Sequence, residues 1–273
     1  MGRLVVDGGQ QLYGDISISG AKNAALPLLA AGLMSAGGSG LTLSNVPNLA
    51  DTRLMLRLLE QLGMTIQQDA GTVSISGATT NTDAPYDLVS QMRASILVMG
   101  PLLARYGEAR VSLPGGCAWG PRPVDYHLKG FEKLGATIDL NQGYILAQSE
   151  KLQGSEISFE IASVGATANI LMAAVLAEGK TFINNAAVEP HIVQLCDVLV
   201  DMGANIRGIG THRLEIEGVS SLRPVEVKVI PDMIEAGTFL MAGATLGEIT
   251  LTDVDPSHLN IVLEKLDHAG CDL

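Results

Sequence analysis

The chain has 273 residues, is 47% hydrophobic and carries a formal net charge of -12 at pH 7. This length and composition suit one large or two ordinary globular domains and exclude a disordered or fibrous protein. Because 29 Asp and Glu outnumber 17 Lys and Arg, we expect no continuous basic surface and no nucleic-acid partner.

The sequence also bears on compartment and membranes. No apolar signal segment precedes the first polar residues, and no run of about 18 apolar residues occurs, so neither export nor a membrane partner is predicted. The three cysteines, Cys117, Cys196 and Cys271, are odd in number and widely spaced. This usage favours a cytoplasmic location and predicts neither a disulfide framework nor a zinc site.

Four helices rich in small apolar residues are predicted along the chain. They span residues 21–34, 92–106, 164–178 and 233–246. A helix that is apolar on every side must be buried on every side, unlike the amphipathic helix that follows it.

Each apolar helix is followed by an amphipathic helix that ends at a glycine, after which a strand begins. These glycines recur about every 70 residues, and they are Gly63, Gly135, Gly203 and Gly270. The repeating unit is therefore strand, buried helix, strand, amphipathic helix, strand, strand. Three units predict one α/β domain with the buried helices together and the sheets and amphipathic helices outside.

The fourth unit does not fit this plan. It begins near Pro231, and the sequence ends at Leu273 before the last strands of the pattern. We therefore expect a fragment of a longer chain, or a chain that self-associates through an open strand edge and an apolar helix without its partners.

Basic residues stand at the starts of the first two buried helices, Lys22 in one and Arg93 in the other. Free backbone N–H groups and the helix dipole favour an anion there, although a solvated lysine is the alternative at Lys22. The third start, Ser163-Val164-Gly165, has no cation but offers backbone amides. Because the units repeat, we expect these starts to share one rim and form an anion-binding pocket.

A loop rich in glycine and proline spans residues 113–125 and contains Cys117, with Arg122 five residues further on. Such a loop is typically reachable by solvent, so a reactive thiol beside a cation is one interpretation. A small hydrophobic residue buried under a turn is the alternative. On the first interpretation, both residues belong to the rim pocket.

Histidines offer weaker candidates. His127 follows the loop and is interpreted either as a ligand contact or as a surface group. The remaining histidines have no spacing that indicates a metal site, and we expect structural or surface roles for them; they are His191, His212, His258 and His268.

Four motifs together carry a resemblance to a known family: Gly20-Ala-Lys-Asn, Met92-Arg-Ala-Ser, Leu113-Pro-Gly-Gly-Cys-Ala and Gly120-Pro-Arg-Pro-Val-Asp. With them, the whole chain closely resembles the bacterial enolpyruvyl transferases that act on UDP-N-acetylglucosamine. The resemblance implies an α/β fold, the inside-out α/β barrel, built from six repeats in two pseudo-threefold domains. Residues 21–230 would form one complete domain, and residues 1–20 and 231–273 would form part of the second.

The resemblance also implies an activity. The enolpyruvyl group of phosphoenolpyruvate is transferred to the 3-hydroxyl of UDP-N-acetylglucosamine with release of phosphate, the first committed step of peptidoglycan synthesis in the cytoplasm. Both partners are small molecules, and no cofactor or metal is implied. Two other classes remain open: a non-catalytic domain that binds a UDP-sugar, and an RNA-end cyclase, which the acidic charge disfavours.

Residue roles follow from matching this sequence to the family's motifs. Cys117 would protonate the methylene of phosphoenolpyruvate and form a covalent adduct, with Lys22 and Arg122 holding its phosphate and carboxylate. Arg93 would be a further anion contact, and Asn23 would contact the sugar nucleotide. The expected contacts of the uridine and diphosphate are Arg122, Pro123, Val124, Asp125, Tyr126, Ser163, Val164 and Gly165.

The chain departs from the family at three positions, which are Leu97, Trp119 and Ile161. Ile161 replaces a lysine common near the diphosphate, so weaker nucleotide binding is expected. The family's aspartate base and further arginines belong to a part of its sequence with no counterpart here. We therefore expect this chain alone not to turn over.

Overall fold

The computed structural model describes residues 3, 5–35, 38–113 and 124–273. They form two compact units, Lys22–Val229 on one hand and Met1–Ala21 with Ile230–Leu273 on the other. Within these residues, no helix is long and apolar enough to cross a membrane.

The first repeat follows the predicted order of elements. Its strands and helices are β1 (Leu12–Ser17), α1 (Lys22–Ala31), β2 (Gly38–Ser44), α2 (Ala50–Gln61), β3 (Met64–Asp69) and β4 (Thr72–Gly77). A 3-10 turn, Gly32–Met34, extends α1, so the predicted helix over 21–34 is confirmed as an α-helix with a tighter last turn.

The second repeat contains an element that the pattern did not predict, a short helix before the buried one. Its elements are β5 (Asp83–Ala84), α3 (Tyr86–Val89), a 3-10 segment (Arg93–Val98), α4 (Met99–Tyr106), β6 (Glu108–Ser112), α5 (Asp125–Lys133), β7 (Thr137–Asn141) and β8 (Tyr144–Gln148). The buried helix predicted over 92–106 is thus split into a 3-10 half and an α half.

The third repeat matches the prediction, and the fourth contributes two strands and two helices. The third comprises β9 (Glu156–Ser158), α6 (Val164–Ala174), β10 (Lys180–Asn184), α7 (Pro190–Asp201), β11 (Asn205–Arg207) and β12 (Arg213–Glu217). The fourth comprises β13 (Val225–Lys228), α8 (Met233–Leu246), β14 (Gly247–Thr252), a 3-10 turn (Pro256–Leu259) and α9 (Asn260–His268).

Three four-stranded sheets in the unit Lys22–Val229 share one topology. Their strand orders are β13-β2-β4-β3, β5-β6-β8-β7 and β9-β10-β12-β11. In each sheet the first pair is parallel and the remaining pairs are antiparallel. This threefold repetition agrees with the predicted α/β class, and the described strands form separate open sheets rather than one closed barrel.

The first sheet takes its edge strand from the fourth repeat. Strand β13 pairs in parallel with β2, with Val225 opposite Leu41. Strand β1 pairs instead with β14, with Leu12 opposite Gly247, in the other unit.

The small-residue helices of the first three repeats form the core of their unit, as predicted. Helix α1 is buried from Ala24 to Ala31, and α6 from Ala166 to Ala174. Helix α1 packs against the 3-10 segment Arg93–Val98 and against α6, and α4 also packs against α6. Small side chains permit this close approach of helix backbones.

Helix α8 is incompletely covered, as expected for an apolar helix without its partners. It packs against β14, β1 and α9 within its own unit, but the side chains of Ile234, Met241 and Leu246 are about half exposed. Burial on every side fails because the described part of this unit supplies only a two-stranded sheet and one further helix to cover α8.

The predicted helix ends are confirmed, and a buried thiol lies on the amphipathic helix of the third repeat. The glycines after the amphipathic helices have positive φ, 101° at Gly63 and 108° at Gly203, as a helix C-cap requires. Cys196 lies on the buried side of α7, where burial, aided by the charge of Asp197, raises the pKa of its thiol to about 12.

Candidate anion-binding site

Three predicted site residues, Cys117, Arg122 and Pro123, lie outside the described residues, as does the departure at Trp119. The described candidates are Lys22, Asn23, Arg93, Val124, Asp125, Tyr126, Ser163, Val164 and Gly165. They belong to the compact unit Lys22–Val229, so its internal geometry shows which of them the fold brings together.

The three predicted helix starts are helix starts in the structure. Lys22 is the first residue of α1, Arg93 opens the 3-10 segment, and Val164 opens α6. Ser163 caps α6, because its hydroxyl oxygen accepts a hydrogen bond from the backbone N–H of Ala166 over 3.3 Å. The remaining first-turn N–H groups of α6 give this end a partial positive charge.

Lys22 remains accessible to solvent. Its Nζ lies 3.1 Å from a carboxylate oxygen of Asp51 in the first turn of α2, and the two side chains are 40% and 36% exposed. An ion pair at this exposure contributes little to stability. The amine is therefore available to a ligand at small cost to the fold.

His127 is the residue at which the structure changes the sequence interpretation. The expectation of a surface group was wrong, because the side chain is 3% exposed on the inner face of α5, next to Gly130 and Phe131. Burial, together with the charge of Arg93, lowers the pKa of His127 to about 4, and the charge of Asp125 opposes the shift. The imidazole is therefore neutral at physiological pH.

The ring of His127 links two parts of the third repeat's buried helix. Its Nδ1 is 3.0 Å from Nδ2 of Asn169 in the middle of α6. Its opposite edge lies against the first turn of α6, since a Cβ placed on Gly165 would be 3.3 Å from Cε1 and Nε2. Arg93, His127 and Gly165 thus belong to one cluster at the starts of the buried helices.

Asn169 was missed by sequence reasoning. The available signal was a single carboxamide in the otherwise apolar helix Val164–Ala174, because a buried amide needs partners that are distant in sequence. Asn23, by contrast, is an exposed residue of the first turn of α1.

The start of α5 supplies the remaining described candidates. Asp125 lies 3.8 Å from Lys129, and its other oxygen, Oδ1, is buried without a hydrogen-bond partner among the described residues. The ring of Tyr126 packs on Phe159 with 5.8 Å between centroids. Val124 precedes them at the N-cap position of α5.

Of the three residues that depart from the family, Ile161 lies on the surface and Leu97 is buried. The side chain of Ile161 is 71% exposed two residues before Ser163, so an apolar group occupies the surface beside the α6 start. Leu97 is buried within the 3-10 segment and belongs to the core. Throughout the described ranges, no group of three or more His, Cys, Asp or Glu side chains is placed to hold a metal ion.

Comparison with known proteins assigns this arrangement to a family. The sequence profile of EPSP synthase (3-phosphoshikimate 1-carboxyvinyltransferase) matches residues 6–273. The chain belongs to the EPSP synthase family. The solved enolpyruvyl transferase NikO from Streptomyces tendae superposes on the fold with a TM-score of 0.85 at 25% identity, covering 96% of this chain and 64% of that one.

Within the family, similarity is much higher to proteins named for another acceptor. The UDP-N-acetylglucosamine 1-carboxyvinyltransferase of Chloroherpeton thalassium is 53% identical over 100% of this chain and 64% of its own length. That of Gluconacetobacter diazotrophicus is 55% identical over 100% of this chain and 66% of its own. An EPSP synthase structure from Acinetobacter baumannii, 20% identical with a TM-score of 0.77, shares the fold and covers 97% of this chain and 61% of that one. The chain thus spans about 64% of the length of the first of these relatives.

Proposed function

We propose that this chain supplies the nucleotide-binding and acid-bearing part of an enolpyruvyl transferase acting on phosphoenolpyruvate and UDP-N-acetylglucosamine. The observation that carries the proposal is the 53% identity over the full chain to a carboxyvinyltransferase named for UDP-N-acetylglucosamine. The identity to the EPSP synthase structure is only 20%.

The described geometry supports an anionic ligand at the starts of the buried helices. The capped N-terminus of α6 suits a diphosphate because its first-turn N–H groups are donors. Arg93 adds a positive charge close enough to perturb the pKa of His127, and a guanidinium can bind phosphate through two parallel hydrogen bonds. Uridine contacts would come from Val124, Asp125 and Tyr126, with Pro123 and Arg122, which precede them in the sequence.

The chemistry requires an acid, an anion site and a base. Cys117 would deliver a proton to C3 of phosphoenolpyruvate, which places positive charge on C2. The sugar 3-hydroxyl then attacks C2 and loses its proton to a base. Departure of phosphate and loss of a proton from C3 restore the double bond, so the enolpyruvyl ether and inorganic phosphate are the products.

Lys22 and Arg122 would hold the phosphate and carboxylate of phosphoenolpyruvate through this sequence. A thiol acts as an acid near neutral pH when neighbouring cations set its pKa. Asn23, one residue after Lys22, would contact the sugar. The base has no assignment among the residues of this chain.

Isothermal titration of the chain with two acceptors tests the choice of substrate. We expect saturable binding of UDP-N-acetylglucosamine and none of shikimate 3-phosphate; the reverse preference would overturn the proposal. Arg93→Met should abolish binding. Arg110→Met is the matched control, because Arg110 is also an arginine, but it pairs with Asp83 and stacks on Tyr144 in the second sheet.

Covalent labelling tests the acid. Fosfomycin, an epoxide that alkylates the family's cysteine, should add its mass to Cys117 in the presence of UDP-N-acetylglucosamine, and Cys117→Ala should remove the adduct. Labelling confined to Cys196 or Cys271 would contradict the assignment. Nucleotide binding without any labelling would support the alternative, a UDP-sugar-binding domain that performs no chemistry.

A further inference from the structure

Both the amide nitrogen and the amide oxygen of Asn169 are hydrogen-bonded inside the core. Its Nδ2 donates to the carbonyl oxygen of Ile96 over 2.9 Å and to Nδ1 of His127 over 3.0 Å. Its Oδ1 accepts from the backbone N–H of Gly100 over 2.7 Å. The side chain is fully buried, so none of these partners can be replaced by water.

Two of the partners of Asn169, the N–H of Gly100 and the carbonyl of Ile96, would be hydrogen-bonded to each other in a continuous α-helix. The N–H of Gly100 and the carbonyl of Ile96 are four residues apart, at the junction where the 3-10 segment Arg93–Val98 becomes α4. Asn169 bridges them from α6, and such an insertion of a side chain fits a break in the helical ladder. This segment begins at Arg93. The hydrogen bonds of Asn169 therefore hold in place the element that carries Arg93, one of the predicted anion contacts.

The bridge also fixes the orientation of the amide. With Oδ1 on the N–H of Gly100, both hydrogens of Nδ2 point to acceptors, one of which is Nδ1 of His127. A flipped amide would set its N–H group against the N–H of Gly100 and its oxygen against the carbonyl of Ile96, losing two buried hydrogen bonds. Nδ1 of His127 must therefore be an acceptor, and the hydrogen of the neutral ring is on Nε2.

The charges around the ring favour the same state. The positive charge of Arg93, in the 3-10 segment, opposes a protonated imidazole. The negative charge of Asp125, which is on α5 like His127, favours one. Helix α6, which packs against α5, has no ionisable side chain between Val164 and Ala174. Burial and Arg93 together exceed the effect of Asp125, since the pKa of His127 is lowered.

We infer that Asn169 is a positioning residue for the nucleotide site: it locks His127 in the neutral form with the hydrogen on Nε2, with that edge held against the first turn of α6. The inference rests on the proposed function, which places the diphosphate at this helix start. The locked ring supports Gly165, and with it the first turn of α6, from behind.

The first test needs no ligand and no variant of Asn169. Two-bond nitrogen–proton NMR correlations of the chain report which ring nitrogen of each histidine carries a hydrogen, and His127→Gln identifies the signals of His127. We expect a neutral ring protonated at Nε2 throughout pH 6 to 8. A ring protonated at Nδ1, or one that becomes charged in this range, would overturn the lock.

The second test asks whether the fixed tautomer of His127 affects the affinity for the nucleotide. In Asn169→Asp, a carboxylate can accept from Nδ1–H, so the tautomer should invert and the pKa of His127 should rise into the range of pH 6 to 8. The affinity for UDP-N-acetylglucosamine should fall by about three- to tenfold, the change expected for one lost hydrogen bond. The ratio of variant to wild-type affinity should also change between pH 6 and pH 8.

Thr167→Val is the matched control. Thr167 is buried on the same helix, and its hydroxyl accepts from the backbone N–H of Ala187 over 3.1 Å, remote from the histidine ring. It should lose stability but keep the wild-type tautomer, affinity and pH profile. If Asn169→Asp behaves like this control, Asn169 is structural only and the positioning role is wrong.

Failure of the proposed function has a different signature. If the wild-type chain does not bind UDP-N-acetylglucosamine, the proposed function and the positioning role fall together, whereas the NMR result still decides the tautomer. If Asn169→Asp does not fold, Asn169→Ser serves in its place, since it removes the donor to Nδ1 without adding a charge. Wild-type affinity in a folded Asn169→Ser would then overturn the positioning role.

Discussion

The backbone N–H of Gly100 donates to Oδ1 of Asn169 over 2.7 Å, and the two residues approach so closely that no side chain fits between them. A Cβ on Gly100 would lie 2.3 Å from the carbonyl oxygen of Asn169 and 2.6 Å from its Oδ1. Both atoms belong to a buried helix whose partners are fixed, so neither can move away cheaply. Position 100 therefore admits only glycine.

Gly100→Ala should destabilise the unit Lys22–Val229 by at least about 2 kcal/mol, because it overpacks the helix contact and strains a buried hydrogen bond. Urea unfolding followed by circular dichroism measures the change. Gly237→Ala is the control, since it makes the same substitution in a helix where the nearest atom is Leu259 Cδ2 at 3.9 Å. Equal stability of Gly100→Ala and wild type would show that the close contact is wrong.

Stability should depend on pH through His127. Its pKa is about 4 in the folded state and 6.5 in the unfolded chain, so the unfolded chain binds more protons between these values. The stabilisation is fully present above pH 6.5 and is lost as the pH falls to 4, by about 3 kcal/mol in all. Urea midpoints measured at intervals from pH 7 to pH 4 report it.

The variant His127→Gln isolates this contribution. It should be less stable than wild type at pH 7, and the difference should shrink as the pH is lowered because only the wild type loses stability by protonating this ring. His268→Gln, a change at an exposed histidine of α9, should reproduce the wild-type curve. Parallel curves for His127→Gln and wild type would exclude a buried neutral histidine.

Binding and stability should separate at Lys22. Its ion pair with Asp51 is partly exposed, so Lys22→Met should change the free energy of unfolding by less than about 1 kcal/mol. The same variant should lose detectable binding of phosphoenolpyruvate in the presence of UDP-N-acetylglucosamine, measured by titration calorimetry. Lys180→Met breaks a similar pair with Glu215 on a sheet and should bind both ligands normally; equal binding by the two variants would remove Lys22 from the site.

Ser163 should have a capping role and a binding role that can be told apart. Ser163→Ala removes the acceptor for Ala166 N–H and should cost about 1 kcal/mol of stability. Ser163→Asp should restore the cap and the stability, while its negative charge repels a diphosphate at the same helix end. Thermal unfolding and nucleotide titration of both variants give the answer; recovery of full affinity in Ser163→Asp would place the anion elsewhere.

Local rules predicted the repeat because each signal lies within a few residues of what it determines. Gly63 and Gly203 marked helix ends because glycine readily adopts the positive φ that both residues have. The uniformly apolar segment of α6 indicated burial. The cap at Ser163 and the start of α7 at Pro190 are likewise visible in the sequence.

The remaining features depend on contacts between distant residues. The split of the second buried helix follows from Asn169, which is 69 residues from Gly100, and the burial of His127 follows from the packing of α5 on α6. No local pattern reports such a contact. The repeat pattern predicted that α8 lacks partners, but it did not indicate which of its side chains, such as Ile234, would be exposed.

The parallel pair of β13 with β2 has a consequence for synthesis on the ribosome. The edge strand opposite Leu41 includes Val225, so β2 has an open edge until that residue has been made. At about 5 to 20 residues per second, this interval is roughly 10 to 40 s. During that time the open edge of β2 is a template for another nascent chain, and a chaperone that shields this edge should raise the yield of folded protein more than one that acts after release.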